Sequence, residues 1–214
     1  LGNTGGGALT TTKNIAVTIN PINDAPIITI PLDQSVNEDT NLTISGISIS
    51  DADVGNGIVE VSLSVAQGVL TLGSLNGLSF ITGDGTADST LVFRGTLAAV
   101  NAALNNLVYR GNANYNGADT LTIGVNDRGN TGGSAQTDQK VMNLTINPVN
   151  DAPVLTTPAS VTVTEDTPIA LAGITLTDLD AGSGQLLVTL TTTNGQLTLS
   201  SLTGLTFTTG DGTS

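Results

Sequence analysis

Ile19 to Pro26 reads INPINDAP and Ile146 to Pro153 reads INPVNDAP, an offset of 127 residues. The register holds beyond this motif. Glu38-Asp39-Thr40 matches Glu165-Asp166-Thr167, Asp51 and Asp53 match Asp178 and Asp180, and Gly83-Asp84-Gly85-Thr86 matches Gly210-Asp211-Gly212-Thr213. A period that long means whole domains in tandem rather than small stacked units. The motif therefore divides the chain into three parts. Residues 1–20 read as the C-terminal strand of a preceding repeat, with Leu1-Gly2-Asn3-Thr4 aligned on Arg128-Gly129-Asn130-Thr131. Residues 21–147 read as one complete repeat, long enough for a core of its own. Residues 148–214 read as the N-terminal two-thirds of the next, which should lack its last strands.

Within the complete repeat the main signal is alternation of period two. Strands are expected over residues 27–36, over 40–48 with a kink at Gly46, and over Val59, Val61, Leu63 and Val65. Further strands are expected at 69–72, 78–81 and 89–94, then through Leu121, Ile123 and Val125, and through Met142, Leu144 and Ile146. One stretch breaks the pattern. Leu97, Val100 and Leu104 recur at helical spacing behind Thr96, a good N-cap, and Asn105-Asn106 can end the turn. The expectation is an all-β chain of tandem antiparallel β-sandwich domains. A single short helix joins the run 89–94 to the run 121–125 and lies across an open end of the core.

Composition narrows the function. The chain has no Cys, His or Trp, five Lys and Arg, eighteen Asp and Glu, and a formal charge of −13. A cationic footprint is missing, which argues against nucleic acid and anionic membrane as partners. No apolar run approaches the roughly 20 residues that span a bilayer. Enzymatic acid–base work would have to rest on carboxylates alone, and these sit in turns, so no enzyme is expected. Eleven of the eighteen acids form short clusters between the strand-like runs.

Strand directions place those clusters. If Asn23-Asp24 marks the top of the sandwich, the first strand descends at about 3.3 Å per residue and leaves Glu38 at the bottom. The next climbs and returns Asp51 and Asp53 to the top, where Asp127 also lies. Glu38 then faces the second linker, Asn150-Asp151, together with Asp178 and Asp180; Glu165 is the counterpart of Glu38. Crowded carboxylates repel unless protonated or bound to a cation, and an all-oxygen set suits Ca²⁺. The metal-ligating candidates are Asn23, Asp24, Glu38, Asp51, Asp53, Asp127, Asn150, Asp151, Glu165, Asp178 and Asp180. The alternative is a set of solvated Asx turns without metal.

VNEDT (36–40), DADVGNG (51–57), VNDRGN (125–130) and the NDAP linkers resemble the cadherin calcium pattern. In wording they resemble more closely the bacterial cadherin-like or Ig-like tandem repeats, of VNDAP type, in large RTX-type surface adhesins. The segment Gly83 to Tyr109 also matches that family's pattern. The resemblance implies extracellular, bacterial-surface β-sandwich arrays in which Ca²⁺ stiffens a stalk that extends an adhesive tip, serving cell adhesion or biofilm formation. The implied partners are neighbouring repeats of the same chain, with a cell-surface glycan or protein reached through other domains. A β-sandwich that itself grips a glycan or protein is the alternative reading.

Two departures from true cadherins remove ligands. The linker lacks an upstream Asp, with Pro21 and Pro148 in its place, and Phe93-Arg94-Gly95-Thr96 stands where a Leu-Asp-Arg-Glu motif would be. One or two ions per junction are therefore expected, with Asp119 or the 112–116 loop as substitute ligands. Gly83-Asp84-Gly85 with Asp88 reads as a hairpin turn. Phe80, Phe93 and Tyr109 read as core, Tyr115 as tucked against the sandwich, and Lys13 and Lys140 as rim residues whose side chains snorkel their charged heads to water.

Overall fold

The structure, a computed structural model, describes Gly6 and residues 10–213. Expectations that fall on residues 1–5 and 7–9, including the alignment of Leu1 to Thr4, lie outside the described residues. The chain divides into two compact units, Leu1–Val149 and Asn150–Ser214.

In the first unit the alternating runs become strands whose inward positions are buried. These are β1 (Ile27–Thr29), β2 (Gln34–Asn37), β3 (Asn41–Ile44), β4 (Ser48–Ser50), β5 (Ile58–Ser64), β6 (Gly68–Thr71), β7 (Ser79–Thr82) and β8 (Thr90–Thr96). Helix α1 (Leu97–Leu104) follows, then β9 (Leu107–Gly111), β10 (Gly117–Asn126) and β11 (Thr137–Asn147). A six-stranded sheet runs β2-β11-β10-β5-β8-β7, a three-stranded sheet runs β3-β9-β6, and β1 pairs with β4. Val59, Val61, Leu63, Leu91, Phe93, Leu121, Ile123, Met142 and Leu144 from the larger sheet bury against Ile44, Leu70, Leu107 and Tyr109 from the smaller in one cluster. The arrangement is an all-β sandwich with one short helix. Phe80 packs on Phe93 with ring centroids 5.9 Å apart, and Tyr115 is half-buried at the rim of the cluster.

Three strand assignments change. The run 27–36 is two strands split around Pro31, which offers no N–H to a ladder. β1 pairs antiparallel with β4, whereas β2 pairs parallel with β11. The run 40–48 is likewise split at Gly46, whose φ of 88° lets the chain turn from β3 on the smaller sheet to β4. The third change is β9, a strand absent from the sequence reading. It fills the centre of the smaller sheet, so the helix joins β8 to β9 and not to β10.

The helix forms as its residues dictate. The Thr96 hydroxyl accepts the Ala99 N–H at 3.3 Å, and Asn105 closes the C-terminus through its own N–H to the Asn101 carbonyl. Val100, Ala103 and Leu104 are buried. Asn101 faces β4, accepting from Ile49 N–H at 2.8 Å and donating to Ile49 C=O at 2.9 Å. One amide thus pairs with the strand edge as a neighbouring strand would.

Residues 10–26 enter no strand, and Ile15, Val17 and Ile19 are largely exposed. In the second unit β12 (Val154–Thr156) pairs with β13 (Thr175–Thr177), at an offset of 127 residues from β1 and β4. No helix among the described residues is long and apolar enough to cross a membrane.

Candidate functional site

The top of the first unit gathers Asn23, Asp24, Asp51, Asp53, Asp127 and Asp138 through hydrogen bonds to backbone. Asp51 Oδ1 accepts the N–H groups of Asp53 and Val54 at 2.8 and 2.9 Å, an Asx turn that its sequence DADV favours. Asp53 Oδ2 in turn accepts Asp24 N–H at 2.6 Å. Asp127, 1% exposed, takes Gly129 and Gln136 N–H on Oδ1, both at 2.8 Å, and Asn23 Nδ2 on Oδ2 at 2.6 Å. Burial pushes its pKa up, but the bonds from Gly129, Gln136 and Asn23 outweigh this and hold it below the usual carboxylate value. Asp138 Oδ2 accepts Ile28 N–H at 2.8 Å, and this bond leads in holding that carboxyl low.

The glycine-rich hairpin between β10 and β11 completes the clasp. Gly132 has φ 82°, and a Cβ there would stand 2.8 Å from the carbonyl carbon of Pro21 and 2.9 Å from Ile22 N. Only glycine lets the hairpin lie this close to the incoming chain. Its Ser134 carbonyl accepts Asn23 Nδ2 at 3.1 Å.

At the bottom, Glu38 is 3% exposed. Its Oε1 accepts Val149 N–H at 2.6 Å, its Oε2 accepts Asn116 Nδ2 at 3.4 Å, and its own N–H donates to Asn147 C=O at 2.9 Å. The outgoing chain is therefore tied to the end of β2. In the second unit the upper hook recurs: Asp180 Oδ2 accepts Asp151 N–H, and Asp178 Oδ1 accepts Asp180 and Ala181 N–H. Asn150 Nδ2 donates to Asp151 C=O. Glu165, unlike Glu38, is exposed.

Two observations bear on the expected ligands. Among the described residues no group of three or more Asp, Glu, His or Cys is placed to hold a metal ion. Asp119 is no spare ligand, since it is 5% exposed and saturated: Oδ1 accepts Ala66 and Thr120 N–H, and Oδ2 accepts Gln67 N–H and the Tyr109 hydroxyl at 3.0 Å. Burial and this partner push the Tyr109 hydroxyl far above its ordinary pKa. One polar atom of the top pole stands apart: Asp51 Oδ2 is buried with no hydrogen-bond partner. Asp88 Oδ2 gathers the N–H groups of Asp84, Gly85 and Thr86, as the hairpin reading requires. Lys140 is exposed and reaches Asp138 Oδ1 at 3.3 Å. Sequence reasoning missed Asp138, Gly132 and Asn101, whose partners (Ile28, Pro21 with Ile22, and Ile49) are distant in the chain.

Comparison with known proteins points away from the family that the motifs resemble. The profile of the Protein GAMETE EXPRESSED 2 domain matches residues 43–136, from β3 into the β10–β11 hairpin and less than half of the chain. This match overturns the resemblance to bacterial cadherin-like repeats of RTX-type adhesins. With it falls the function drawn from that resemblance, a calcium-stiffened adhesin stalk serving cell adhesion or biofilm formation. Among solved structures, AggA, the major subunit of aggregative adherence fimbriae type I from Escherichia coli, is similar at 22% identity over 61% of this chain and 100% of that one. Its TM-score of 0.35 carries no argument. No curated protein matches the chain.

Proposed function

We propose that the first unit is a non-catalytic connector module, one of a tandem series of β-sandwiches, that bears load between its poles. The observation that carries the reading is the parallel pairing of β2 with β11, Gln34–Asn37 against Leu144–Asn147. Chain arrives at the top, held by Asp53, Asp127 and the Gly132 hairpin, and leaves at the bottom, held by Glu38. The eleven residues of β11 separate the poles by roughly 35 Å. Pulling the ends apart slides β2 along β11, so their hydrogen bonds are loaded together rather than opened in turn. Carboxylates committed to backbone N–H groups, and the lack of His and Cys, support a role without catalysis. The likeness of residues 43–136 to the Protein GAMETE EXPRESSED 2 domain makes a gamete-expressed protein the setting we propose.

The chain has no cysteine, so thiol handles are unique. Force spectroscopy with cysteines at positions 21 and 149 should give a much higher unfolding force than handles at 117 and 147, which sit side by side at one end of the β10–β11 ladder and unzip it bond by bond. Equal forces along the two axes would remove the reading.

A second reading, Ca²⁺ at the top pole, is favoured by Asp51 Oδ2, a buried oxygen without a donor. Such an atom is costly unless something compensates it, and a hard cation is one answer. Asp51 would anchor the ion, which would neutralise its charge. Binding to the native state alone must raise Tm. A Tm that does not respond to millimolar Ca²⁺, or responds equally in Asp51→Asn, would dismiss the ion.

A further inference from the structure

We infer that Asp33 and Asn143 form a side-chain clamp at the head of the β2–β11 ladder, particular to this copy of the repeat, that sets the force at which the first unit yields. The inference rests on the load-bearing reading and names the residues that fix its strength.

β2 is an edge strand held to β11 over four residue pairs, from Gln34 opposite Leu144 to Asn37 opposite Asn147. One residue upstream the ladder cannot continue through backbone. The chain bends away at Pro31, Leu32 is 87% exposed, and the Leu32 carbonyl instead accepts Gln34 Nε2 at 2.7 Å. Asp33 supplies the missing rung with its side chain. Its Oδ1 accepts Asn143 N–H at 3.0 Å and its Oδ2 accepts Asn143 Nδ2 at 2.9 Å. Both oxygens of one carboxylate thus bind both donors of one residue. The bond from the Asn143 side chain, then that from its backbone, hold the Asp33 carboxyl below its ordinary pKa. The carboxyl is therefore ionised at neutral pH, and bonds to an ionised acceptor are the stronger kind. At the foot of the same ladder Glu38 accepts Val149 N–H. A carboxylate brackets each end of a short run of backbone bonds.

The direction of load gives the upper bracket its weight. Tension on the incoming chain draws β2 upward from its Asp33 end, while tension on the outgoing chain draws β11 downward. The Asp33–Asn143 bonds cross between the strands at the end where load enters β2, so they are strained before the rungs below them. An exposed pair adds little to equilibrium stability. A contact that must break before the transition state acts instead on the unfolding rate.

The internal repeat separates this clamp from the shared pattern. At the 127-residue offset Lys13, Ile19 and Pro158 repeat Lys140, Ile146 and Pro31, but Ala16 stands for Asn143 and Ser160 for Asp33. Alanine has no amide to donate, and serine has no pair of acceptor oxygens. Both members of the pair are replaced while the positions around them are kept.

The test is constant-force unfolding of the full chain through cysteines at 21 and 149, and separately through cysteines at 117 and 147. Along the first axis Asp33→Ala and Asp33→Ser should each raise the unfolding rate at least about threefold. Asp33→Asn, which keeps one acceptor oxygen, should raise it less. The double variant Asp33→Ala, Asn143→Ala should be no faster than Asp33→Ala alone, since the partner is already gone. Along the second axis the Gly117–Ile146 rung opens first, so these variants should keep the wild-type rate. If the wild type resists far better along the first axis but Asp33→Ala leaves that rate unchanged, the inference is overturned and the load-bearing reading stands. Full additivity of the two alanine changes, or equal acceleration along both axes, also overturns it. If the wild type yields equally along both axes, the load-bearing reading falls and the inference falls with it.

Discussion

Replacing Asp119 with Asn should destabilise the first unit strongly, despite the near-identical shape. The carboxylate accepts four bonds, two on each oxygen, from Ala66, Thr120, Gln67 and the Tyr109 hydroxyl. An amide keeps one oxygen. Its NH₂ end must face either the pair Ala66 and Thr120 or the pair Gln67 and Tyr109, donor against donor. Two bonds to a charged acceptor are lost at about 1.5–3 kcal/mol each, so the expected cost is about 3–6 kcal/mol. For a unit of this size that is a fall in Tm of about 10–20 °C. Both tyrosines, Tyr109 and Tyr115, lie in the first unit and the chain has no Trp, so near-UV circular dichroism in the tyrosine band follows this unit alone. Phe at position 109 removes one stranded hydroxyl, so the double variant Asp119→Asn, Tyr109→Phe should cost less than the sum of the singles by about 1 kcal/mol. A loss under about 1 kcal/mol for Asp119→Asn would refute the bond accounting. A loss that appears only in added Ca²⁺ would instead make Asp119 a ligand.

Other perturbations read the two ends of the sandwich. Asp127 and Asp138 are held below the ordinary carboxylate range, so the unfolded chain binds more protons in acid. Their contribution is fully present above about pH 4 and is lost as pH falls through the depressed values; urea midpoints should fall there, with a flatter acid limb in Asp127→Asn. Gly132→Val places a branched side chain at positive φ and against Pro21 and Ile22. It should loosen the incoming chain and speed exchange of the Asp24 amide, held by Asp53, while the β5–β8–β10 core keeps its protection. Asn101→Ala removes both bonds to Ile49 and should cost about 1–2 kcal/mol, with faster exchange at β4 as its local signature. Glu38→Gln keeps an oxygen for Val149 N–H, and should lower the force at which handles 21 and 149 unfold the unit more than it lowers Tm.

How much was legible follows the range of each signal. Inward alternation in β5, β8, β10 and β11 is local, so it placed the core residues, and Thr96 with its following apolar spacing placed the helix. The partner of a strand is not local. Nothing in residues 27–36 states that the half before Pro31 pairs with β4 while the half after it pairs with β11. β9 was hidden because Leu107, Tyr109 and Gly111 follow directly on the Asn-Asn stop of the helix and offer only a short run.

The acids divide in the same way. Sequence shows which carboxylates reach which pole, but not what neutralises them there. Backbone N–H groups and a cation draw on the same residue types in the same turns. Asp119 is the instructive case, because a signal was available. It lies two residues before Leu121 and so in phase with Leu121, Ile123 and Val125, all of them inward. A carboxylate in that phase is buried, and a buried carboxylate must find donors on its neighbouring strands. Tyr109, the bulkiest buried side chain and the one with a hydroxyl to satisfy, is the partner that logic demands. Asp51 shows the converse. It sits in an outward turn where its carboxylate could be solvated, yet one oxygen is buried without a donor. Of the acids at the top pole it is the one whose environment the backbone has not completed, which is why the calcium test turns on it.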